Sequence, residues 1–358
     1  MSLPQPRTLA EIDTPAVLID VDKALANLAR AQAFADAQGF ALRPHIKTHK
    51  LPFFAQKQIA LGAKGITCQK LGEAEVMADA GIADILLTYN ILGAAKLARL
   101  KALHGRISIS VTADNATVIA GLAEAFTDPA HPLPVLVECD TGGGRCGVQT
   151  QDEALHLAQQ VAAAPGLRFD GLMTFPKVGK AAESQAWLTD AVALLAANSL
   201  TCRKISTGGT PDYRKAGEVP LATEFRPGTY IYLDRAQVAM GAGTLDQCAF
   251  TVLTTVVSRP TPTRAILDAG SKALSSDLFG QEGYGVLFDR PELRLTGLSE
   301  EHGVLDLSAA PGGVAVGDRV RVLPNHACVV TNLFDIVYLV SGEQVVDVLP
   351  VAARGKVG

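Results

Sequence analysis

From residue 22 to about residue 235 short β-rich runs alternate with amphipathic, Ala- and Leu-rich segments of helical spacing, and this alternation restricts the fold more than anything else in the chain. The β-rich runs are PHIK (44–47), GITCQ (65–69), DILLTY (84–89), RISISV (106–111), VLVECD (135–140), DGLMTF (170–175), KISTGG (204–209) and TEFRPG (223–228). Between them lie segments such as GEAEVMADAG, DEALHLAQQVAAA and ESQAWLTDAVALLAANS. A strand followed by a helix, repeated, builds a parallel sheet. Eight strands within about two hundred residues predict a (β/α)8 TIM barrel rather than an open doubly wound sheet.

After about residue 246 the helical periodicity stops. FTVLTTVVS, RAILDAG, DRVRVLP and DIVYLVSGEQVVDVLPV read as a second, mostly antiparallel β domain. PAVLID (15–20) reads as a strand with no slot in the barrel and is expected to pair with that domain. The expected division is a barrel over 21–245 and a β domain over 246–358 joined by the N-terminal strand within 1–20.

With 358 residues and a hydrophobic fraction of 48%, the chain can bury two cores. Its net charge of −4 is spread along the sequence, which argues against a nucleic-acid surface. The six cysteines are widely and irregularly spaced, without CxxC, which fits a reducing compartment. The start, MSLPQPRTLAEIDTP, lacks a basic region followed by an apolar core, and no stretch approaches a membrane span; a soluble, cytoplasmic protein is expected.

In a barrel of this kind chemistry gathers at the C-terminal ends of the strands, and the unusual residues of the sequence fall there. Lys47 ends the first run and Gln69 the second, DTGGGRCG (140–147) follows the fifth, STGG (206–209) ends the seventh, and RPGTY (226–230) follows the eighth. STGGTP offers backbone N–H groups unobstructed by side chains, the pattern of a phosphate cradle and also of a plain turn. GGGRCG formally matches the dinucleotide motif GxGxxG, but it lies fifth in a run of similar units instead of opening a Rossmann domain, so that reading is set aside. Arg145 within it is a fixed cation on the functional face.

LRPHIKTHK (42–50) concentrates positive charge and imidazoles in an otherwise mildly acidic chain, which suits a small anion. Read as a strand, it puts Arg43, His45 and Lys47 on one face, Lys47 as the buried lysine and Lys50 as the exposed one. Neighbouring cations and partial burial lower a lysine pKa and free its nucleophilic form for Schiff-base chemistry; a salt-bridged surface lysine is the competing reading. A phosphate acceptor, an activated lysine and an arginine facing a ring together suggest pyridoxal 5′-phosphate.

PNHACVVTN (324–332) places His326 and Cys328 two residues apart, so on a strand they share a face and can grip one metal ion. Two protein ligands leave positions open for water or substrate, and a thiolate favours Zn²⁺ over Mg²⁺ or Ca²⁺. A buried cysteine beside a hydrogen-bonded histidine is the alternative. His302 in SEEHG belongs to the same domain, near the site or capping a turn.

DTPAVLID, RPHIKTHK, DTGGGRCGV, STGGTP, RPGTYIYLD, LDAGSKA, EEHG, PNHAC and PVAARGK occur in this order over nearly the whole chain. In them the chain resembles the fold-type III pyridoxal-phosphate enzymes, and among these the D-threonine aldolase and D-serine dehydratase group, which includes D-3-hydroxyaspartate dehydratase-like members. The resemblance implies an alanine-racemase-like barrel with a β domain, usually a homodimer. It implies that Lys47 holds the cofactor and that Arg145 lies near its ring. Gly208, Gly209 and Thr210 would then contact the phosphate, Gln69 and Tyr230 would lie nearby, and His326 with Cys328 would form the metal pair, Zn²⁺ favoured and Mn²⁺ possible.

Aldolase-type members typically carry a carboxylate as second metal ligand, whereas dehydratase-type members read His-x-Cys, as His326-Ala327-Cys328 does. The resemblance therefore implies a dehydratase converting a D-3-hydroxy amino acid (D-serine, D-threonine or D-3-hydroxyaspartate) to a 2-oxo acid and ammonia. Retro-aldol cleavage to glycine and an aldehyde is the alternative, followed by racemisation, with Tyr284 as a conceivable base, or a non-catalytic cofactor carrier. Phe175-Pro176 departs from the dehydratases' Tyr or Thr followed by His and from the aldolases' Tyr-His or Tyr-Gln, so the resemblance leaves the substrate-side acid or base unassigned.

Overall fold

A computed structural model describes residues 3–358. The chain begins with β1 (Ala16–Asp20) and α1 (Val21–Gln38), then β2 (Ala41–Leu42), α2 (Pro52–Ala60), β3 (Ile66–Cys68), α3 (Leu71–Asp79), β4 (Asp84–Leu87) and α4 (Ala94–His104). Next come β5 (Ser108–Ala113), α5 (Ala116–Ala125), β6 (Leu133–Cys139), α6 (Gln151–Ala163), β7 (Leu167–Thr174), α7 (Ala181–Ala197), β8 (Lys204–Thr207), β9 (Glu224–Phe225) and α8 (Arg235–Ala239). The remainder is β10 (Phe250–Thr261), β11 (Arg264–Leu267), α9 (Ser271–Leu274), β12 (Gly285–Leu287), β13 (Arg290–Leu298), β14 (Gly303–Asp306), β15 (Arg319–Pro324), α10 (Ala327–Thr331), β16 (Ile336–Ser341) and β17 (Gln344–Pro350). Two compact units result. One comprises the stretch up to Arg30, Thr48–Leu51 and Thr229–Gly355; the other Ala31–Lys47, Pro52–Gly228 and Lys356–Gly358.

The second of these is the expected (β/α)8 barrel, with strand order β2-β9-β8-β7-β6-β5-β4-β3, all neighbours parallel. It closes where Thr67 N–H donates to the Pro44 carbonyl (2.7 Å) and Ile46 N–H donates to the Thr67 carbonyl (2.9 Å). Strands covered on both faces read as continuous apolar runs, and in β6 only Pro134 is not fully buried. Helix starts are fixed locally: Asn115 Oδ1 accepts Val118 N–H before α5, and Thr150 with Glu153 forms a capping box before α6.

The first strand departs from expectation. It is Ala41–Leu42, and the predicted run 44–47 instead makes one bridge at His45 and turns over residues 46–49. Pro44 has no N–H to continue a ladder, so regular pairing ends before it. Arg43, expected beside Lys47, is 1% exposed and lies between Glu224 (2.8 Å) and Asp84 (2.7 Å). Burial works against both buried charges, yet each holds the other ionised, raising the Arg43 pKa and lowering that of Glu224.

In the other unit β11, β14, β13, β12, β15 and β10 follow one another as antiparallel neighbours, and the long β10 also pairs β11, closing a small barrel. Irregular register along β10, between Val256 and Ser258, provides the bend. β1 lies between β10, antiparallel, and β16, parallel, with β17 at the edge. Leu18, Leu253, Tyr338 and Val340 are part of the core packed there. Among the described residues no helix is long and apolar enough to cross a membrane.

Candidate active site

Lys47 sits in the turn that follows the closing bridge, where a string of hydrogen bonds fixes its backbone. Its N–H donates to His45 Nδ1 (3.3 Å), so His45 carries its proton on Nε2, which donates to Gln69 Oε1 (3.2 Å). Gln69 Nε2 in turn donates to the Thr88 carbonyl (2.7 Å). Burial, with the charges of Lys47 and Arg226, pushes the His45 pKa well below the usual histidine value, so the imidazole is neutral. It positions Lys47 without adding charge beside it.

The burial of the two lysines is the reverse of the expectation. Lys47 is half-buried, whereas Lys50 is 6% exposed and its Nζ donates to the Ala353 carbonyl (3.4 Å). The chain is not extended here: Lys50 has φ of 56°, and this left-handed corner turns its side chain inward. Lys47, by contrast, reaches toward the Phe175 ring, its Nζ 6.0 Å from the centroid. Arg145 lies over the same ring at 4.8 Å.

Of the predicted cofactor residues, Lys47, Gln69, Arg145, Gly208, Gly209 and Thr210 all lie in the barrel unit and follow barrel strands. Tyr230 is in the other unit, buried, next to Thr229. The GGGRCG loop is not a phosphate cradle: the Asp140 carboxylate accepts N–H bonds from Gly142 (2.9 Å) and Gly144 (3.0 Å), so those amides are already occupied. In the STGG loop the N–H groups of Gly208 and Gly209 have no hydrogen-bond partner among the described residues. Gly208 has φ of +90°, and a Cβ there would run into the Phe225 ring.

Two charged residues went unrecognised in the sequence. Arg226, just past β9, is 5% exposed; its Nη2 donates to the Thr174 carbonyl (2.5 Å), while its Nε has no partner among the described residues. Burial pulls its pKa down to about 10, which still leaves it cationic at neutral pH. Glu138, at the end of β6, is raised in pKa by burial despite Arg145 (3.9 Å) and Arg226. A cavity of about 490 Å³ opens between Gln69, Thr88, Tyr89, Asn90, Glu138 and Arg145. Partnerless amides in a glycine loop, an incompletely satisfied buried arginine and a reachable lysine fit a phosphorylated aldehyde cofactor.

His326 and Cys328 come together by a different local route from the one expected. β15 ends at Pro324, and the pair spans a strand-to-helix corner, with His326 preceding α10 and Cys328 in its first turn. Asp234 fixes that corner: its buried carboxylate accepts the Ala327 N–H (2.9 Å), and burial raises its pKa to about 6. The hydroxyls of Thr48 (3.1 Å) and Thr229 (3.5 Å) face the Cys328 sulfur. Burial opposes a charged His326, but Cys328 and the Asp277 carboxylate, 2.7 Å from Nδ1, outweigh it and raise its pKa to about 9. Among the described residues no group of three or more His, Cys, Asp and Glu is arranged around a metal position. A thiol supported by hydroxyls beside an imidazole is nevertheless a donor set that fits a borderline-soft divalent ion with open positions. His302 is exposed, in a turn where its carbonyl accepts the Ser299 N–H (2.8 Å).

Residues 19–236 match the alanine racemase N-terminal domain, and residues 249–340 match the putative serine dehydratase domain. A D-threonine aldolase of Arthrobacter sp. is 36% identical, over 97% of this chain and 94% of its own. A D-threo-3-hydroxyaspartate dehydratase of Delftia sp. strain HT23 is 33% identical, over 90% of this chain and 92% of its own. The crystal structure of a D-threonine aldolase from Filomicrobium marinum superposes with a TM-score of 0.92 at 34% identity, over 99% of this chain and all of the other.

Proposed function

The chain belongs to the family of the alanine racemase N-terminal domain, here followed by a putative serine dehydratase domain, and from that premise we propose that it is a pyridoxal-phosphate- and metal-dependent lyase of D-3-hydroxy amino acids, working as a dehydratase. When bound, pyridoxal 5′-phosphate supplies an electron sink for negative charge at Cα and a divalent metal supplies a Lewis acid for a hydroxyl. Zn²⁺ suits the ligands best, with Mn²⁺ the other candidate. A homodimer in the cytoplasm is the proposed setting.

The residues of the chain divide the work. Lys47 would hold the cofactor, and its Nζ is the group that would take the Cα proton. The amides of Gly208 and Gly209, with Thr210, would hold the phosphate, and Arg145, Gln69 and Tyr230 are the residues proposed to flank the cofactor. Arg226 adds positive charge on the same barrel face. Phe175 and Pro176 have no titratable group, so neither can protonate a leaving hydroxyl. The hydroxyls of Thr48 and Thr229 are placed to donate to the Cys328 sulfur when it ligates a metal as a thiolate.

Elimination is favoured by one observation, the thiol of Cys328 beside His326 where a carboxylate is the aldolase pattern. Retro-aldol cleavage stays as a second reading because a D-threonine aldolase is 36% identical over nearly the full chain. Incubation with D-serine, D-threonine and D-threo-3-hydroxyaspartate, with and without chelator, separates the two. Ammonia and a 2-oxo acid, lost on chelation, are expected; glycine with an aldehyde as the only products would overturn the dehydratase reading.

A further inference from the structure

The segment Ser275–Phe279, after α9, does more than link two strands. Asp277 Oδ2 lies 2.7 Å from His326 Nδ1, and the Phe279 ring stacks on the imidazole with centroids 4.2 Å apart and planes 10° apart. A carboxylate only accepts, so Nδ1 carries a proton in this contact, and Nε2 is the nitrogen that a metal beside Cys328 would take in exchange for a proton. The stacked ring fixes the plane of the imidazole; the carboxylate fixes its rotation within that plane.

The clasp is itself held in place. Asp277 N–H donates to Ser275 Oγ (3.0 Å), and Phe279 N–H donates to Asp277 Oδ1 (3.0 Å), so the oxygen not facing His326 is tied into its own turn. Asn325, adjacent to His326, reaches back with Nδ2 to the carbonyls of Leu278 (3.2 Å) and Gly283 (2.8 Å). Each segment therefore grips the other. Ser275 (φ 66°) and Phe279 (φ 45°) bracket the turn in the left-handed region, which non-glycine residues adopt only where the surroundings hold them.

We propose that Asp277 and Phe279 are positioning residues that present His326 Nε2 as the metal-binding atom next to Cys328. The proposal rests on the metal reading of His326 and Cys328. A carboxylate behind a ligating imidazole orients the ring and increases its basicity, and losing such a partner typically weakens metal binding by about 10–100-fold. A plain surface pair would instead leave metal affinity unchanged on removal.

The test uses the full-length chain, stripped of metal and titrated with zinc alone in competition with a chromophoric chelator. Asp277→Ala is expected to bind zinc about 10–100-fold more weakly, and Asp277→Asn, which keeps an acceptor for Nδ1–H, to recover most of that loss. Should Asp277→Ala not fold, Phe279→Leu carries the same expectation of weakened binding. Coupling between bound cadmium and isotope-labelled histidine should place the metal on Nε2 of His326. Wild-type affinity in Asp277→Ala or in Phe279→Leu, or metal on Nδ1, overturns the clasp while His326→Ala still loses zinc. Wild-type affinity in His326→Ala removes the metal reading and the clasp with it.

Discussion

Gly208 and Gly209 are adjacent, but alanine at each should fail in a different way. At Gly208 the backbone φ is +90°, and an added Cβ would strike the Phe225 ring, with even Cζ only 2.8 Å away. That ring is 2% exposed and packs against Phe40 at 5.4 Å, so it has nowhere to retreat. A left-handed backbone costs an L-residue about 1–2 kcal/mol and overpacking about 1–3 kcal/mol, so Gly208→Ala should lose roughly 2–5 kcal/mol of stability. Gly209 has an extended φ of −155°, and its Cβ would meet nothing closer than Phe175 Cε2 at 3.3 Å, on a ring 41% exposed. Gly209→Ala should therefore cost less than about 1 kcal/mol while crowding the amide proposed to hold the phosphate, weakening cofactor binding at least about tenfold. Chemical denaturation of the cofactor-free chains keeps ligand linkage out of the first quantity, and cofactor titration gives the second. A Gly208→Ala chain as stable as wild type, or equal destabilisation by both substitutions, would refute the reasoning.

Arg43→Met should strand Glu224 without its partner in the barrel interior and cost about 3–5 kcal/mol in denaturation, most of it recovered when Glu224→Leu is added. The Glu224 pKa is lowered below 4.5 in the folded chain, so its contribution is complete above that pH and disappears as acid takes the pH through the folded value. Glu224→Gln should accordingly flatten the fall of stability with acid below about pH 4.5, followed by denaturation across a pH series. Lys50→Met removes a buried ammonium from the Ala353 carbonyl and should cost about 1–3 kcal/mol while cofactor loading, read by absorbance, stays at the wild-type level.

The barrel was legible because its signal is repetitive: β3 to β7 are each followed by a helix, α3 to α7. The first strand was misplaced because proline chemistry overrode β-propensity. Pro44 ended the ladder, and the residues read as alternating faces of a strand became a turn. Choosing Lys47 over Lys50 by burial therefore rested on the wrong geometry: Lys50 is the more buried lysine, and what distinguishes Lys47 is its reach toward the Phe175 ring, over which Arg145 also lies. Arg43 looked like a tuner of Lys47 because its partners, Asp84 and Glu224, are 41 and 181 residues away. Asp277 was invisible for the same reason, since SSDLFG has no local pattern that points to a histidine 49 residues on. Arg226 could have been found, as an arginine directly after a barrel strand is exceptional in a stretch that otherwise supplies core.

Within the basic run at 42–50 we propose that Lys47 carries the cofactor. Reducing the pyridoxal-phosphate-loaded protein with borohydride, digesting it and locating the pyridoxyl group by mass spectrometry tests that assignment directly. The group is expected on the peptide containing Lys47 and on Lys47 within it. A pyridoxyl group on Lys50 or on any lysine outside this run would contradict the account.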